Sequence, residues 1–252
     1  MKQNVNNMDN KENKQADNQE LLNNLYKGCA AFLGSLINDN EESQYDRIIF
    51  IGSHGTGKST LANELSKILD MPVVESVARE ASKNFMLLEN EGVISSKDVP
   101  ESIRKNAYQK VLCSMALWDF MRWVCADVPC IMTRCPLDTV AYAMADRLIL
   151  RETVSECFDA LQDDDEFQHA LQRSLFVYIP IEFGIENDGV RPTDVSFQKQ
   201  VDEAMRKLLY IFGITPLAVT GTVDERLESI LNFVFDKGTA KTIMNNYRKE
   251  RV

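Results

Sequence analysis

The chain has 252 residues, of which 44% are hydrophobic, a length and composition that suit one α/β domain with a sizeable core. Its 28 basic and 38 acidic residues give a net charge of −10, which argues against a long polyanion such as nucleic acid as the main partner. Long apolar runs are absent and the N-terminus is polar, so we expect neither a transmembrane helix nor a secretory signal, and hence a cytoplasmic protein.

Residues 1–45 are predicted to form an extension outside the domain. Residues 1 to about 20 are rich in Asn, Gln, Lys, Glu and Asp, and such a composition favours disorder. Residues 21–37 turn apolar and predict a short helix. This helix would dock either on the core or on a partner, and a second copy of the chain is one candidate partner.

Residues 52–59, GSHGTGKS, match the phosphate-binding loop pattern G-x-x-x-x-G-K-[ST]. The run RIIFI before them is typical of a buried strand, and the residues after them have helical spacing. A strand, a glycine-rich turn and a helix N-terminus together form a cradle for phosphate. The residues predicted to bind the nucleotide are Gly52, Ser53, His54, Gly55, Thr56, Gly57, Lys58, Ser59 and Thr60.

The chemistry of the loop assigns a role to several of these residues. The glycines let backbone N–H groups face the phosphates, and Lys58 lies along the β- and γ-phosphates. The Ser59 hydroxyl is expected to bind Mg²⁺. His54 stands at a variable position of the pattern, and the loop does not reveal which base is bound.

Strands and helices are predicted to alternate through residues 46–236. The predicted strands are 47–52, 72–74, 129–133, 175–179 and 215–219, and the predicted helices are 58–69, 77–90, 100–126, 137–172, 196–212 and 223–236. Strands separated by helices pair in parallel, so the sequence predicts a three-layer α/β sandwich around a five-stranded parallel sheet. Residues 237–252 are predicted to be a polar, solvated tail.

Ligands of such sheets bind beyond the carboxyl ends of the strands. Glu75, which follows the second predicted strand, is therefore a candidate site residue. Its carboxylate could accept a proton from a substrate hydroxyl or hold a magnesium-bound water. It could equally be an ordinary first-turn acid of the next helix. Arg79 lies one turn later, either in the same pocket or on the surface.

Three further positions follow later strands. Thr133 stands where phosphate-loop enzymes usually carry an Asp that holds Mg²⁺ through water. Asp138 either takes over that role or caps the next helix, and Arg134 is placed to grip a phosphate or the acceptor. Residues 182–191 contain two glycines and look like a lid. Arg191 is then either a lid arginine that stabilises the transferring phosphoryl group or an exposed loop residue.

The six cysteines form no C-x-x-C pair, and we interpret them as reduced core residues. The two histidines are too few for a histidine-based metal site. The acidic run at residues 163–166 is predicted to be solvated surface.

The segments GSHGTGKSTLANEL, VVESVARE, TRCPLDTVAYA, IENDGVRPTD and VTGTVDERLESIL together resemble the AAA-type P-loop ATPases related to the ribosylnicotinamide kinase domain of NadR. The resemblance covers roughly residues 46–236. It implies a nucleoside- or nucleotide-kinase-like fold that uses ATP and Mg²⁺. It would make Lys58 and Ser59 the nucleotide and magnesium ligands and Glu75 the acceptor-side carboxylate. Arg134 and Arg191 would be the phosphate or lid arginines, and residues 219–221 would lie near the adenine edge.

Three functions remain open at this point. The first is a kinase of a small nucleoside-like or nucleotide-like hydroxyl. The second keeps phosphoryl transfer but acts on a hydroxymethylated base in DNA. The third is a regulatory nucleotide-binding ATPase without a small-molecule acceptor, which Thr133 supports because it removes the usual acidic metal ligand.

Overall fold

The computed structural model describes residues 45–78, 80–81, 99–182 and 194–251. Five parallel strands form one sheet in the order β2-β3-β1-β4-β5, which confirms the predicted architecture. The strands are β1 (Arg47–Ile51), β2 (Val73–Val74), β3 (Cys130–Met132), β4 (Ser174–Tyr178) and β5 (Leu217–Ala218). The phosphate loop therefore follows the central strand, with the ends of β3 and β4 on either side.

Eight helices are complete within the described ranges. They are α1 (Lys58–Leu69), α2 (Glu101–Cys125), α3 (Pro136–Ala145), α4 (Arg151–Gln162), α5 (Asp165–Gln172), α6 (Val195–Ile211), α7 (Val223–Val234) and α8 (Lys237–Glu250). The predicted helical stretch 137–172 divides into three helices. The predicted helix 77–90 lies largely outside the described residues. None of the described helices combines the length and apolarity that crossing a lipid bilayer requires.

Alternate residues of β1 build two separate cores, one on each face of the sheet. Ile49 and Ile51 pack with α2 to α6, whereas Ile48 and Phe50 pack with α1, α7 and α8. All of these side chains are buried, because a central parallel strand is covered by helices on both faces. The result is the three-layer sandwich that the sequence predicted.

The five described cysteines are free thiols, and four of them are buried. Cys125, at the end of α2, is exposed. The acidic residues 163–166 join α4 to α5, and Asp164 caps α5 by accepting a hydrogen bond from the backbone N–H of Phe167 at 2.8 Å. Part of the acidic run therefore has a structural role in addition to facing solvent.

The expectation of a solvated tail at residues 237–252 is corrected by helix α8. Asp236 caps this helix by accepting hydrogen bonds from the backbone N–H groups of Gly238 and Thr239. Ala240, Met244 and Tyr247 are buried against the α1 and α7 side of the core. The spacing of these three residues places them on one helical face, but the many polar residues between them hide that pattern. Residues 1–44, including the predicted helix at 21–37, lie outside the described part.

Replacing Met244 with Ala tests whether α8 belongs to the folded domain. Met244 is 1% exposed, so Met244→Ala should lower the free energy of unfolding by about 2–5 kcal/mol through lost packing and a cavity. The matched control is Met144→Ala, because Met144 on α3 is 40% exposed and should change stability little. Urea unfolding of both variants measures the difference. If the two variants were equally stable, α8 would be only a loosely attached tail.

Candidate active site

The phosphate loop is shaped by glycines in backbone conformations that other residues rarely adopt. Gly52, Gly55 and Gly57 have φ angles of 136°, 76° and 90°. A Cβ atom on Gly52 would lie 2.5 Å from the backbone oxygen of Ile179, which follows β4. The loop thus passes so close to the neighbouring strand that only glycine fits. Gly57 then caps α1 without a side chain, and the helix begins at Lys58.

Lys58 lies folded across the loop that precedes it. Its Nζ donates hydrogen bonds to the backbone oxygens of Gly52, at 2.7 Å, and Ser53. Its side chain is buried, yet it also lines the main pocket. The ammonium group therefore stands at the loop with a short path to any phosphate that the loop holds.

Helix α6 fixes the first half of the loop through two buried hydrogen bonds. Ser53 Oγ donates to the backbone oxygen of Gln198 at 2.9 Å. Gln198 Nε2 in turn donates to the backbone oxygen of His54 at 2.8 Å. Both bonds run between segments about 145 residues apart in sequence, so they join the loop to a distant part of the fold. Sequence reasoning missed Gln198, because one polar residue in an amphipathic helix carries no special signal.

His54 is a structural part of the loop rather than an idle variable position. Its ring is buried, with Nδ1 3.2 Å from the hydroxyl oxygen of Tyr142 and its centroid 6.0 Å from the rings of Tyr142 and Phe197. The Tyr142 hydroxyl also accepts a hydrogen bond from Arg134 Nη2 at 3.3 Å. A continuous set of contacts therefore joins the phosphate loop to the arginine that follows β3.

Asp138 caps α3 and also binds Arg134. Its Oδ2 accepts a hydrogen bond from the Cys135 backbone N–H at 2.9 Å, and its Oδ1 lies 3.3 Å from Arg134 Nη1. The structure thus shows Asp138 capping α3, whereas its role as a metal ligand stays a prediction. Both carboxylate oxygens are already engaged by protein groups.

Burial and mutual attraction set the charge states of this group. Burial raises the pKa of Asp138 above its ordinary value, against the opposing effect of Arg134 and Lys58. Burial acts to lower the pKa of Arg134, but Tyr142 and Asp138 outweigh it and raise that pKa. Burial, followed by the Asp138 charge, raises the pKa of the Cys135 thiol, which therefore stays protonated and is no nucleophile.

One pocket of about 530 Å³ brings most of the predicted residues together. Residues 54–60 of the loop and of α1 line one part of it, and Glu75, Thr133, Arg134 and Asp138 line another. Gly52 and Ser53 do not line the pocket and support the loop from behind. Arg79, Arg191 and the rest of the predicted lid after Glu182 lie outside the described residues.

Helix α2 supplies a wall that sequence reasoning did not assign to the site. The wall residues are Lys105, Tyr108, Gln109, Leu112, Ala116, Asp119 and Phe120. Gln109 is buried, and its Nε2 donates to the backbone oxygen of Thr139 at 2.8 Å. The sequence does carry a signal for this wall, because helical spacing places four of its residues on one face: Gln109, Leu112, Ala116 and Phe120.

A glycine pair tests how closely the loop is packed. Gly52→Ala should remove nucleotide binding and destabilise the domain, because the new Cβ would collide with the backbone oxygen of Ile179. The control is Gly213→Ala, which has a φ of 65° but no atom within 4 Å of the added Cβ. That variant should cost only about 1–2 kcal/mol of backbone strain and keep nucleotide binding. Calorimetric titration and thermal unfolding measure both properties, and similar results for the two variants would contradict the packing argument.

Comparison with known proteins agrees with this architecture. No curated protein matches the chain. The solved structure of deoxyadenosine kinase from M. mycoides with bound dATP aligns with a TM-score of 0.52 at 12% identity, covering 75% of this chain and 98% of that one. The same kinase with bound dCTP gives a TM-score of 0.51 at 13% identity with the same coverage. NadR in complex with NAD and AMP-PNP gives 0.45 at 16% identity, covering 76% of this chain and 50% of that one.

At such identities the likeness to the deoxyadenosine kinase concerns the fold alone. The family comparison reaches further, because a model described as an AAA domain matches residues 47–226, from the first strand to the first turn of α7. The chain therefore belongs to this AAA-domain family, and its fold is that of the P-loop nucleoside and nucleotide kinases.

Proposed function

We propose that the protein transfers the γ-phosphoryl group of ATP, with Mg²⁺, to a hydroxyl of a small nucleoside-like or nucleotide-like acceptor. The observation that carries this proposal is the shared pocket. It holds the phosphate loop, Glu75 and Arg134 within one space of about 530 Å³, a volume typical of small-molecule sites. A donor and an acceptor could therefore meet in one pocket.

The phosphate loop would bind the triphosphate. The N-terminus of α1 and the loop amides attract anions, and no acidic residue stands in the first turn of this helix. Lys58 would exchange its bonds to the Gly52 and Ser53 oxygens for bonds to phosphate oxygens. Such electrostatic stabilisation, together with positioning, accounts for most of the catalysis in phosphoryl transfer.

The acceptor would lie between Glu75 and helix α2. Glu75 is exposed to the pocket and could take the proton of the attacking hydroxyl. Arg134 is held by Asp138 and Tyr142, so its guanidinium is oriented before any ligand binds. The aromatic and apolar residues of α2 would cover the flat faces of the acceptor, and Gln109 would offer polar contacts.

The donor atoms of the pocket fit magnesium. Within the described ranges, no cluster of three or more His, Cys, Asp or Glu side chains could hold a metal ion by itself. Magnesium does not require one, because it prefers oxygen donors and usually binds through few protein groups, several waters and substrate phosphates. Ser59 would supply the direct oxygen, and Asp138 would contribute its negative charge nearby. The ion, when bound, neutralises charge on the phosphate oxygens.

Thr133 favours a second candidate function, a regulatory nucleotide-binding ATPase. Its hydroxyl is 3.4 Å from the backbone oxygen of Val74, and the side chain is buried at the end of β3. A carboxylate at this place would supply the usual water-mediated contact to the metal. Without it, a slow hydrolase that senses bound nucleotide is the alternative to an efficient kinase.

A panel of acceptors distinguishes these functions. Nucleosides, nucleoside monophosphates and ribosylnicotinamide are incubated singly with labelled ATP and Mg²⁺, and duplex DNA with hydroxymethylated bases is included. A labelled small molecule supports the proposed kinase, whereas free phosphate alone supports the regulatory ATPase. Label in DNA would favour the base-modifying kinase. Lys58→Ala should abolish each of these activities, and an active variant would contradict the assignment of the loop.

Glu75→Gln tests the acceptor side of the site. The change keeps the shape of the side chain but removes the base, so kcat should fall by about 10²–10⁴-fold while ATP affinity stays unchanged. Steady-state kinetics and calorimetry measure the two quantities. Glu80→Gln is the matched control, because Glu80 is exposed on the same segment and does not line the pocket. Equal rates for both variants would leave Glu75 with a structural role only.

A further inference from the structure

Arg226 on α7 contacts the phosphate loop from behind. Its guanidinium is buried, with Nη1 donating a hydrogen bond to the backbone oxygen of Thr56 at 3.0 Å. The same nitrogen lies 3.5 Å from the position that a Cβ on Gly57 would occupy. Arg226 does not line the pocket, so it touches the loop without reaching the place where a phosphate would lie.

Glu182 joins this arginine to a third loop. Its Oε2 accepts a hydrogen bond from Arg226 Nη2 at 2.5 Å, which makes an ion pair between a buried arginine and a partly exposed carboxylate. The Glu182 carboxylate also accepts a hydrogen bond from the backbone N–H of Gly221. The Gly221 nitrogen lies 3.0 Å from Oε2 and 3.2 Å from Oε1. The pair therefore connects the phosphate loop, the segment after β4 and the loop between β5 and α7.

The geometry of the peptide bond gives this contact a consequence for phosphate binding. In a trans peptide, the C=O of Thr56 and the N–H of Gly57 point in opposite directions. Holding the Thr56 oxygen against Arg226, outside the pocket, turns the Gly57 N–H toward the pocket that Gly57 lines. Backbone N–H groups with this orientation are the donors that a phosphate-binding loop needs.

We propose that Arg226 is a positioning residue that orients the Thr56–Gly57 peptide for phosphate binding, and that Glu182 holds Arg226 in place. This inference rests on the proposed nucleotide binding at the same loop. It makes the affinity for nucleotides depend on an ion pair that does not line the pocket. Because Glu182 also holds Gly221, the β5–α7 loop would be coupled to the phosphate loop through the same carboxylate.

The experiment measures the dissociation constants of ATP and ADP by calorimetry on the full chain with Mg²⁺. Arg226→Gln should weaken both nucleotides about tenfold, since both place phosphates on the loop. Arg226→Lys should recover part of the affinity, because an ammonium group can still pair with Glu182. Arg248→Gln is the matched control: Arg248 pairs with Asp224 and Glu228, and within the described residues it makes no hydrogen bond to the phosphate loop. Arg248→Gln should bind ATP and ADP with the same dissociation constants as the unmodified chain.

Glu182→Gln keeps the proposal testable if Arg226→Gln does not fold. The Glu182 side chain is 23% exposed, so its replacement should be tolerated and should weaken ATP by several-fold. The double variant with both Arg226→Gln and Glu182→Gln should lose no more affinity for ATP than Arg226→Gln alone, because both substitutions break the same connection to the loop. Unchanged dissociation constants in folded Arg226→Gln or Glu182→Gln would overturn the inference. Absence of ATP binding in the unmodified chain would instead overturn the proposed function.

Discussion

The close approach of the phosphate loop to β4 is the constraint on which the site depends. Gly52 leaves β1 with a φ of 136° and runs against the backbone oxygen of Ile179. Since a side chain at Gly52 would collide with that oxygen, only glycine lets the loop turn back at this residue. The turn places Lys58 over the oxygens of Gly52 and Ser53 and starts α1 directly behind the loop.

The loop is then held from three directions by side chains that are distant in sequence. Gln198 on α6 binds the Ser53 hydroxyl and the His54 backbone oxygen, Tyr142 on α3 contacts the His54 ring, and Arg226 on α7 binds the Thr56 oxygen. Gln198 and Arg226 are buried, and each donates a hydrogen bond to a backbone oxygen of the loop. A cradle built in this way is arranged before any ligand arrives, which lowers the ordering that binding would otherwise require.

The sequence was sufficient for the sheet and the loop because both depend on local patterns. Apolar runs such as RIIFI predict buried strands, and the spacing of glycine and lysine in residues 52–59 defines the loop chemistry. It failed for α8, where the buried residues Ala240, Met244 and Tyr247 are separated by polar ones. It also left Arg226 unnoticed, although this residue precedes the buried Ile230 by one helical turn and so shares its face.

The contacts of individual side chains were beyond the reach of sequence patterns. Asp138 could be read either as a cap or as a metal ligand, and only its two contacts, to the Cys135 N–H and to Arg134, show that the cap exists. The α2 wall was predicted as a long helix, yet nothing local says which face meets the phosphate loop. Tertiary packing of α2 against α3 decides that, because it brings the α2 residues to the pocket that the loop also lines.

The balance of charge along the pocket bears on how an acceptor would be selected. Among the described residues that line it, Lys105 pairs with Asp146 at 3.1 Å and Arg134 pairs with Asp138 at 3.3 Å. Glu75 adds a further negative group that is exposed to the pocket. These ion pairs neutralise basic side chains of the pocket that lie outside the phosphate loop. The described wall therefore favours an acceptor recognised by its shape and hydrogen bonds over one attracted by many negative charges. An acceptor that presents a hydroxyl to Glu75 and a flat face to α2 agrees with that balance.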